Sequence, residues 1–168
     1  MVPESRAEQG LLLGGNITDN LLLPTLRRRS KRGWLSTKAM DRVATQLAED
    51  VDLRYSSVRQ SAGSLSGGNQ QKILFGRSVE VAPNILIVDE PTRGVDIAAK
   101  RAIHQILVEM ARAGLSILFI SSEIEEILGV CDRVLVIYRG AIKAEFVPPF
   151  DQGDIVAEFF GHGPGRAK

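Results

Sequence analysis

The chain has 168 residues, and 44% of them are apolar, which is enough to bury one core. Its 21 Lys and Arg nearly balance its 20 Asp and Glu, so the net charge of +1 points to neither nucleic acid nor anionic lipid as a partner. The single cysteine excludes an internal disulfide and fits a reducing compartment such as the cytoplasm. Its apolar runs are far shorter than the roughly 20 residues that cross a bilayer, and no secretory signal is visible, so we expect any membrane role to come through a partner.

The N-terminal third mixes turn-forming and helical segments. Glycines, Pro24 and the basic run 27–32 predict loops and short helix over residues 1–35. Beyond them, Met40, Val43 and Leu47 recur at helical spacing after Ser36, an N-cap residue. A helix of about three turns is therefore predicted there.

The rest of the chain alternates strands with helices. Residues 85–88 form a short, mostly β-branched run, which predicts a strand buried on both faces of a parallel sheet. A second buried strand is predicted at 116–120. Helices are predicted at 69–81, 97–113, 123–128 and 154–160, and a hairpin with strands 133–138 and 141–146. A strand, a helix and a strand joined by short connections form a βαβ unit, which requires parallel pairing, so the fold class is α/β.

Two carboxylates end the first of these strands. Asp89 and Glu90 lie where open α/β sheets hold their ligands. An Asp there can hold Mg²⁺, and a neighbouring Glu can polarise a water in line with a terminal phosphate. The alternative, which the pair alone leaves equally open, is an acidic turn before Pro91.

A hydroxyl and two glycines precede the helix predicted at 69–81. The segment 65–72 reads Leu-Ser-Gly-Gly-Asn-Gln-Gln-Lys. Helix N-termini bind anions because their free N–H groups point outward, and glycines let the backbone approach a phosphate closely. In the simpler interpretation, Ser66 is only the N-cap.

These segments together resemble one family. The eight residues 65–72 match the signature of ABC ATPases, and their Asn-Gln-Gln-Lys ending resembles that of bacterial sugar importers. Residues 85–90 look like the Walker B strand and residues 93–96 like the D-loop. Residues 2–6 are similar to the Q-loop stretch of the second nucleotide-binding domain of these importers, where Glu4 replaces Gln. The chain thus resembles the C-terminal part of that domain in importers of the ribose, xylose or galactose type.

The resemblance implies a partial ABC-type P-loop NTPase fold with a helical subdomain near the N-terminus and a C-terminal β-hairpin. It also implies that two such domains dimerise head to tail and bind ATP and Mg²⁺. Asp89 would then hold Mg²⁺, Glu90 would be catalytic and Asp96 would belong to the D-loop. The signature residues would contact a nucleotide held by the partner domain; they are Leu65, Ser66, Gly67, Gly68 and Gln70.

Two departures from the family pattern limit what the chain is expected to do. No Gly-x-x-x-x-Gly-Lys-Ser/Thr occurs in the sequence, so the loop that cradles the β- and γ-phosphates is absent and truncation is the simplest account. Ser122 occupies the position of the switch His found in many ABC ATPases. A Ser lacks the charge and the paired donor and acceptor of an imidazole, so we expect weakened γ-phosphate contact.

We divide the chain into a helical subdomain with the signature (15–80), a core with Walker B, D-loop and switch (83–160) and a tail (161–168). His104 and His162 are interpreted as solvent-facing residues without a catalytic role. The basic run 27–32 beside Trp34 is interpreted as a solvated loop, with nucleic-acid or lipid-headgroup contact as the alternative. In the family this segment faces the membrane permease.

Three functions remain open. The first is the energy-coupling subunit of a sugar importer on the inner face of the cell membrane, with permease subunits, a sugar-binding protein and a second nucleotide-binding domain as partners and no nucleic acid. The second is a non-catalytic fragment that acts only as an interaction module. A soluble ABC protein of DNA repair or translation is the third, and the Asn-Gln-Gln-Lys ending and the absence of a large insertion or a basic face argue against it.

Overall fold

The computed structural model describes residues 1–30 and 33–161, which fall into two units, Met1–Ile120 and Ser121–Lys168. Lys31 and Arg32 of the basic run, together with His162 and the rest of the tail prediction beyond residue 161, lie outside the described residues. The three-part division of the chain stays a prediction.

The first unit starts with short helical pieces, as the sequence predicts for residues 1–35. A π turn at Arg6–Gly10 precedes helix α1 (Ile17–Leu22), and a 3-10 turn at Leu23–Thr25 leads into α2 (Leu26–Arg29). Next comes α3 (Thr37–Asp50), which begins after Ser36 because the Ser36 side chain accepts a hydrogen bond from the amide of Ala39. The three-turn helix predicted after Ser36 is confirmed.

Helix α4 (Gly67–Val81) is the central helix of this unit and packs against α1, α3 and α5 (Ile97–Arg112). It ends at Ala82, which adopts a left-handed conformation with φ 49° just before Pro83. Arg77 ties it to the N-terminal segment, donating from Nε to the carbonyl of Asn20 at 2.8 Å and from Nη1 to the carbonyl of Gly10 at 2.7 Å. Burial lowers the pKa of Arg77, and these carbonyls satisfy its guanidinium.

The sheet of the first unit pairs β1 (Ile85–Asp89) with β2 (Ser116–Ile120) in parallel, with α5 as the crossover helix. Val88 lies opposite Phe119 in the register, and Val2 adds a parallel bridge on the other side of β1. The predicted βαβ unit is therefore confirmed.

The prediction that both strands are buried on two faces is wrong. Leu86 and Val88 are buried on one face of β1, whereas Ile85 is 65% exposed on the other. On β2, Leu118 and Ile120 are 48% and 43% exposed. Continuous apolar runs are typical of strands covered on both sides. Here α5 covers one face, and nothing in the described part of the chain buries the other to the same extent.

The second unit packs a hairpin against a helix. Its elements are α6 (Ile124–Val130), β3 (Val134–Tyr138), β4 (Ala141–Phe146) and α7 (Gln152–Phe159). The strands pair in an antiparallel register, and Val134, Val136 and Ala144 meet Ile155 of α7 in a small core. The predicted hairpin and final helix are confirmed. Cys131 borders this core, and burial raises the pKa of its thiol to about 11.

His104 does not face solvent as predicted. It is half-buried on α5, and its ring lies 6.1 Å from that of Phe119 on β2 at an edge-on angle of 80°. It follows Ile103 of the apolar stripe by one residue, which keeps it close enough to the covered sheet face to pack there. Within residues 1–30 and 33–161, no helix is both long enough and apolar enough for a bilayer crossing.

Candidate functional site

Asp89 and Glu90 lie at the carboxyl end of β1, as the sequence predicts. The amide of Asp89 donates to the carbonyl of Val2 at 3.0 Å, and the amide of Glu90 donates to the carbonyl of Ile120 at 2.9 Å. Backbone hydrogen bonds on both sides thus hold the backbone of the acidic pair. Both carboxylate residues are half-buried.

The chain reverses sharply at Glu90. Its φ is 44°, in the left-handed region, which costs a non-glycine residue about 1–2 kcal/mol. The amide of Arg93 donates to the carbonyl of Glu90 at 3.1 Å, and Pro91 and Thr92 are buried, so the turn is anchored on both sides. Residues held in such conformations cluster at functional sites, which supports a role for Glu90 beyond that of an ordinary turn residue.

Glu4 belongs to the same edge of the sheet. It follows Val2, whose amide donates to the carbonyl of Ile87 at 2.8 Å, and its carboxylate forms an ion pair with Arg93. Both side chains are exposed, at 44% for Glu4 and 69% for Arg93, so the pair contributes at most about 1 kcal/mol. The pair links the Q-loop-like position to the turn that follows the acidic strand end.

The signature segment lies at the start of α4. Ser66 has the extended backbone of an N-cap, but its side chain makes no capping hydrogen bond to the backbone and instead accepts from the side-chain Nδ2 of Asn69 at 3.0 Å. Among the described residues, the backbone N–H groups of Gly67 and Gly68 donate to no protein acceptor. The interpretation of Ser66 as a simple N-cap is thus right for its backbone and wrong for its side chain. The first turn keeps donors available for an anion.

Gly68 brings the signature against the start of α5. A Cβ on Gly68 would lie 2.6 Å from the Cβ of Ala99, closer than real Cβ atoms approach. Asp96, the predicted D-loop residue, caps α5 by accepting from the amide of Ala99 at 2.9 Å. Ala99 therefore contacts both positions: it packs against Gly68 of the signature, and its amide is bound by Asp96.

The polar residues after the glycines hold neighbouring loops. Gln70 donates from Nε2 to the carbonyls of Leu65 at 3.2 Å and Ala62 at 3.4 Å, which ties the signature loop to its own helix. The buried Lys72 donates to the carboxylate of Asp52 at 2.9 Å, and this bond lowers the pKa of Asp52. This role of Lys72 could not be predicted from the sequence, because its partner is 20 residues upstream and only tertiary packing brings them together.

Ser122 belongs to the second unit and is exposed. Beside it, Ser121 Oγ accepts from the amide of Glu123 at 3.0 Å and donates to the carboxylate of Glu126 at 3.3 Å. These bonds fix the turn that enters α6, so the switch position lies at the start of a helix.

Asp89 fits the ligand set of a Mg²⁺ ion, which binds one or two carboxylates and takes its other oxygens from phosphate and water. In the parts of the chain that the structure describes, no three His, Cys, Asp or Glu side chains form a metal-holding group. A Mg²⁺ ion at this edge would therefore take most of its ligands from a nucleotide and water.

Comparison with known proteins identifies the family of the chain. A family model described as "ABC transporter" matches residues 5–93. The chain is 43% identical over 144 residues to the ribose import ATP-binding protein of Roseobacter denitrificans, an alignment that covers 86% of this chain and 28% of that protein. It is 46% identical over 145 residues to a ribose import ATP-binding protein of Rhizobium johnstonii, again covering 86% of this chain and 28% of the relative. The chain thus spans less than a third of the length of these relatives.

The fold also matches a solved structure. A dimeric, post-hydrolysis state of the ATP-binding cassette MJ0796 bound to ADP and Pi superposes with a TM-score of 0.69 at 22% identity, over 83% of this chain and 60% of that one. At this identity the match shows the fold alone. Together with the family match, which spans more than half of the residues, it places the chain in the ABC transporter family.

Proposed function

We propose that this chain supplies part of the nucleotide-binding machinery of an ABC importer for a sugar, at the cytoplasmic face of a membrane. The observation that carries the proposal is the combination of an uncapped Ser-Gly-Gly helix start with an acidic strand end in one unit. The relatives named as ribose import ATP-binding proteins support sugar as the substrate class.

Within this proposal the acidic strand end acts on a nucleotide bound at its own domain. Asp89 would hold a Mg²⁺ ion, which would supply neutralisation of the phosphate charge. Glu90 accepts a hydrogen bond from the attacking water and takes its proton. The anchored left-handed turn fixes the Glu90 backbone, so little conformational entropy is lost when the water is positioned.

The signature acts on a different nucleotide. In a head-to-tail dimer, the free N–H groups of Gly67 and Gly68 and the hydroxyl of Ser66 meet the γ-phosphate of ATP held by the partner domain. Leu65 and Gln70 hold the signature loop in place, and Asp96 positions the D-loop beside it. For a nucleotide held by its own domain, Ser122 at the switch position would make a weaker γ-phosphate contact than a histidine would.

A second candidate function, that of a non-catalytic module, is favoured by the absence of one motif from the sequence. The 168 residues contain no Gly-x-x-x-x-Gly-Lys-Ser/Thr, the backbone cradle and lysine that hold phosphates. On that basis we propose that the chain alone does not retain ATP and that another polypeptide segment supplies this loop. The alternative is a non-catalytic module that docks a permease or another ATPase half.

Equilibrium titration with fluorescent ATP and Mg²⁺ tests these proposals on two proteins: the chain alone, and the chain fused behind the phosphate-loop segment of the Roseobacter denitrificans relative. We expect binding by the fusion only. In the fusion, Glu90→Gln is expected to keep ATP binding and to lower hydrolysis by about 10²-fold or more. Glu125→Gln, which changes an exposed carboxylate on α6, is the matched control and should hydrolyse ATP at the unchanged rate.

Two results would contradict the proposal. Tight ATP binding by the chain alone would show that the nucleotide site does not depend on a separate phosphate loop. If the fusion binds ATP and Glu90→Gln leaves its hydrolysis rate unchanged, Glu90 does not take part in hydrolysis. That result would favour the interaction module.

A further inference from the structure

One stretch of the first unit is strongly basic although the whole chain is nearly neutral. Residues 20–40 contain six Lys and Arg and no acidic residue, while the remaining chain carries 15 basic and 20 acidic residues. The positive charge is thus concentrated in one segment. Bulk net charge, which is +1, hides this asymmetry.

Large apolar side chains in the same stretch face solvent. Trp34, the only tryptophan of the chain, is 83% exposed, and Leu23 and Leu35 are 43% and 42% exposed. An indole this exposed contributes little to the core. Because its ring is both apolar and a hydrogen-bond donor, tryptophan is enriched where a bilayer meets water.

The arginines of α2 differ in how far they are neutralised. Arg29 donates to the carboxylate of the mostly buried Glu80 at 2.6 Å. Arg28 donates to the carbonyl of Glu80 at 3.1 Å and shares the same carboxylate at 3.7 Å, but it keeps 67% of its side chain exposed, and one carboxylate cannot neutralise both arginines. Arg27 is exposed and forms no ion pair with any residue that the structure describes. Arg27 and Arg28 therefore keep charge available to an external anion.

These side chains lie close along the chain. Ser30, which ends α2, is four residues from Trp34, so their Cα atoms are at most about 15 Å apart. We propose that Leu23, Arg27, Arg28, Trp34 and Leu35, here named the Trp34 patch, bind the surface of an anionic bilayer.

The chemistry of the patch fits that surface. The arginines contact lipid phosphates, and the indole and leucines enter the boundary between headgroups and acyl chains. Single-stranded nucleic acid fits less well, because its binding sites pair a basic groove with several stacking aromatics, and this segment offers one aromatic residue flanked by leucine. The proposal does not depend on nucleotide chemistry and can hold or fail separately from the proposed function.

Intrinsic fluorescence reports on the patch directly, because Trp34 is the only tryptophan. Vesicles of phosphatidylglycerol added to the chain are expected to shift the emission maximum to shorter wavelength, and vesicles of phosphatidylcholine are expected to leave it unchanged. Arg27→Ser combined with Arg28→Ser should lower the partition coefficient roughly 25-fold, from about fivefold for each cation near an anionic surface.

The matched control removes two cations elsewhere. Arg101→Ser with Arg112→Ser changes exposed residues of α5 and should leave partitioning within about twofold of the original chain, because these residues lie outside the patch. Circular dichroism checks that each variant is folded. An unchanged emission maximum with phosphatidylglycerol, an equal shift with phosphatidylcholine or an equal loss in the α5 control would each overturn the proposal. A shift that requires native membrane vesicles would do the same and would assign the patch to a protein partner.

Discussion

Among single residues, Gly68 shows how a sequence motif and a packing constraint coincide. The motif predicts that its glycines contact a phosphate, and it does not reveal that one of them also has to be small for another reason. Gly68 lies where the first turn of α4 meets Ala99 of α5, and that approach depends on the absence of a Cβ. A glycine at this position therefore serves packing whether or not a nucleotide is bound.

Gly68→Ala is expected to force the starts of α4 and α5 apart and to lower the free energy of unfolding by about 1–3 kcal/mol. Urea denaturation followed by circular dichroism measures this change. Gly129→Ala is the matched control, because Gly129 is also helical and an added Cβ would meet nothing within 4 Å. The control should be neutral or up to about 1 kcal/mol more stable. Equal effects in the two variants would show that α4 and α5 tolerate a side chain at their contact.

At the level of whole elements, periodicity and capping residues predicted most helices and strands within a few residues. Ser36 marked the start of α3, and Pro83 marked the end of α4, because these residues act locally on the backbone. Long-range polar contacts could not be predicted in this way. Glu80 on α4 pairs with Arg29 on α2, 51 residues away in the chain, and nothing in either local pattern selects that partner.

The Glu80 pair links α4 to α2 and should make stability depend on pH. Burial raises the pKa of Glu80, but hydrogen bonds from Thr25 and Arg29 and the charges of Arg29 and Arg28 outweigh it, so the pKa lies below the usual value of a glutamate. A lowered pKa stabilises the folded state above the unfolded pKa, and this contribution is lost as pH falls through the folded value. Glu80→Gln is expected to lower the free energy of unfolding by about 1.5–3 kcal/mol at pH 7 and to flatten its decline below pH 5.

Denaturation curves at pH 7, 5 and 3.5 test this expectation. Glu145→Gln is the matched control, since Glu145 pairs with Arg133 at 3.3 Å on the surface, where both side chains are exposed. Its effect should stay below about 1 kcal/mol at every pH. If Glu80→Gln declined with pH as steeply as the unaltered chain, the acid sensitivity would have to come from other carboxylates.

For the molecule as a whole, the sequence predicted the α/β class, the βαβ unit and the C-terminal hairpin, and it failed on how the sheet is covered. A run such as Ile-Leu-Ile-Val indicates a strand that can be buried on both faces. It does not indicate which segment of the chain, if any, covers each face. Here Leu86 and Val88 share the core with the apolar side chains of α5, while Ile85 and Leu118 remain largely open. Burial is a property of the assembled layers, so pattern alone could not settle it.

Because one face of the sheet is buried and the other is exposed, a polar substitution should lower the free energy of unfolding more on the buried face. Leu86→Thr removes a side chain that is 1% exposed and should cost at least about 2 kcal/mol, through the lost apolar contact and the buried hydroxyl. Leu118→Thr acts on the open face, where the residue is 48% exposed, and should change stability by less than about 1 kcal/mol. Thermal and urea unfolding of the two variants measure the difference. A Leu118→Thr cost as large as that of Leu86→Thr would show that the second face is covered in solution, either by this chain or by another copy of it, and concentration dependence of the midpoint would distinguish these two cases.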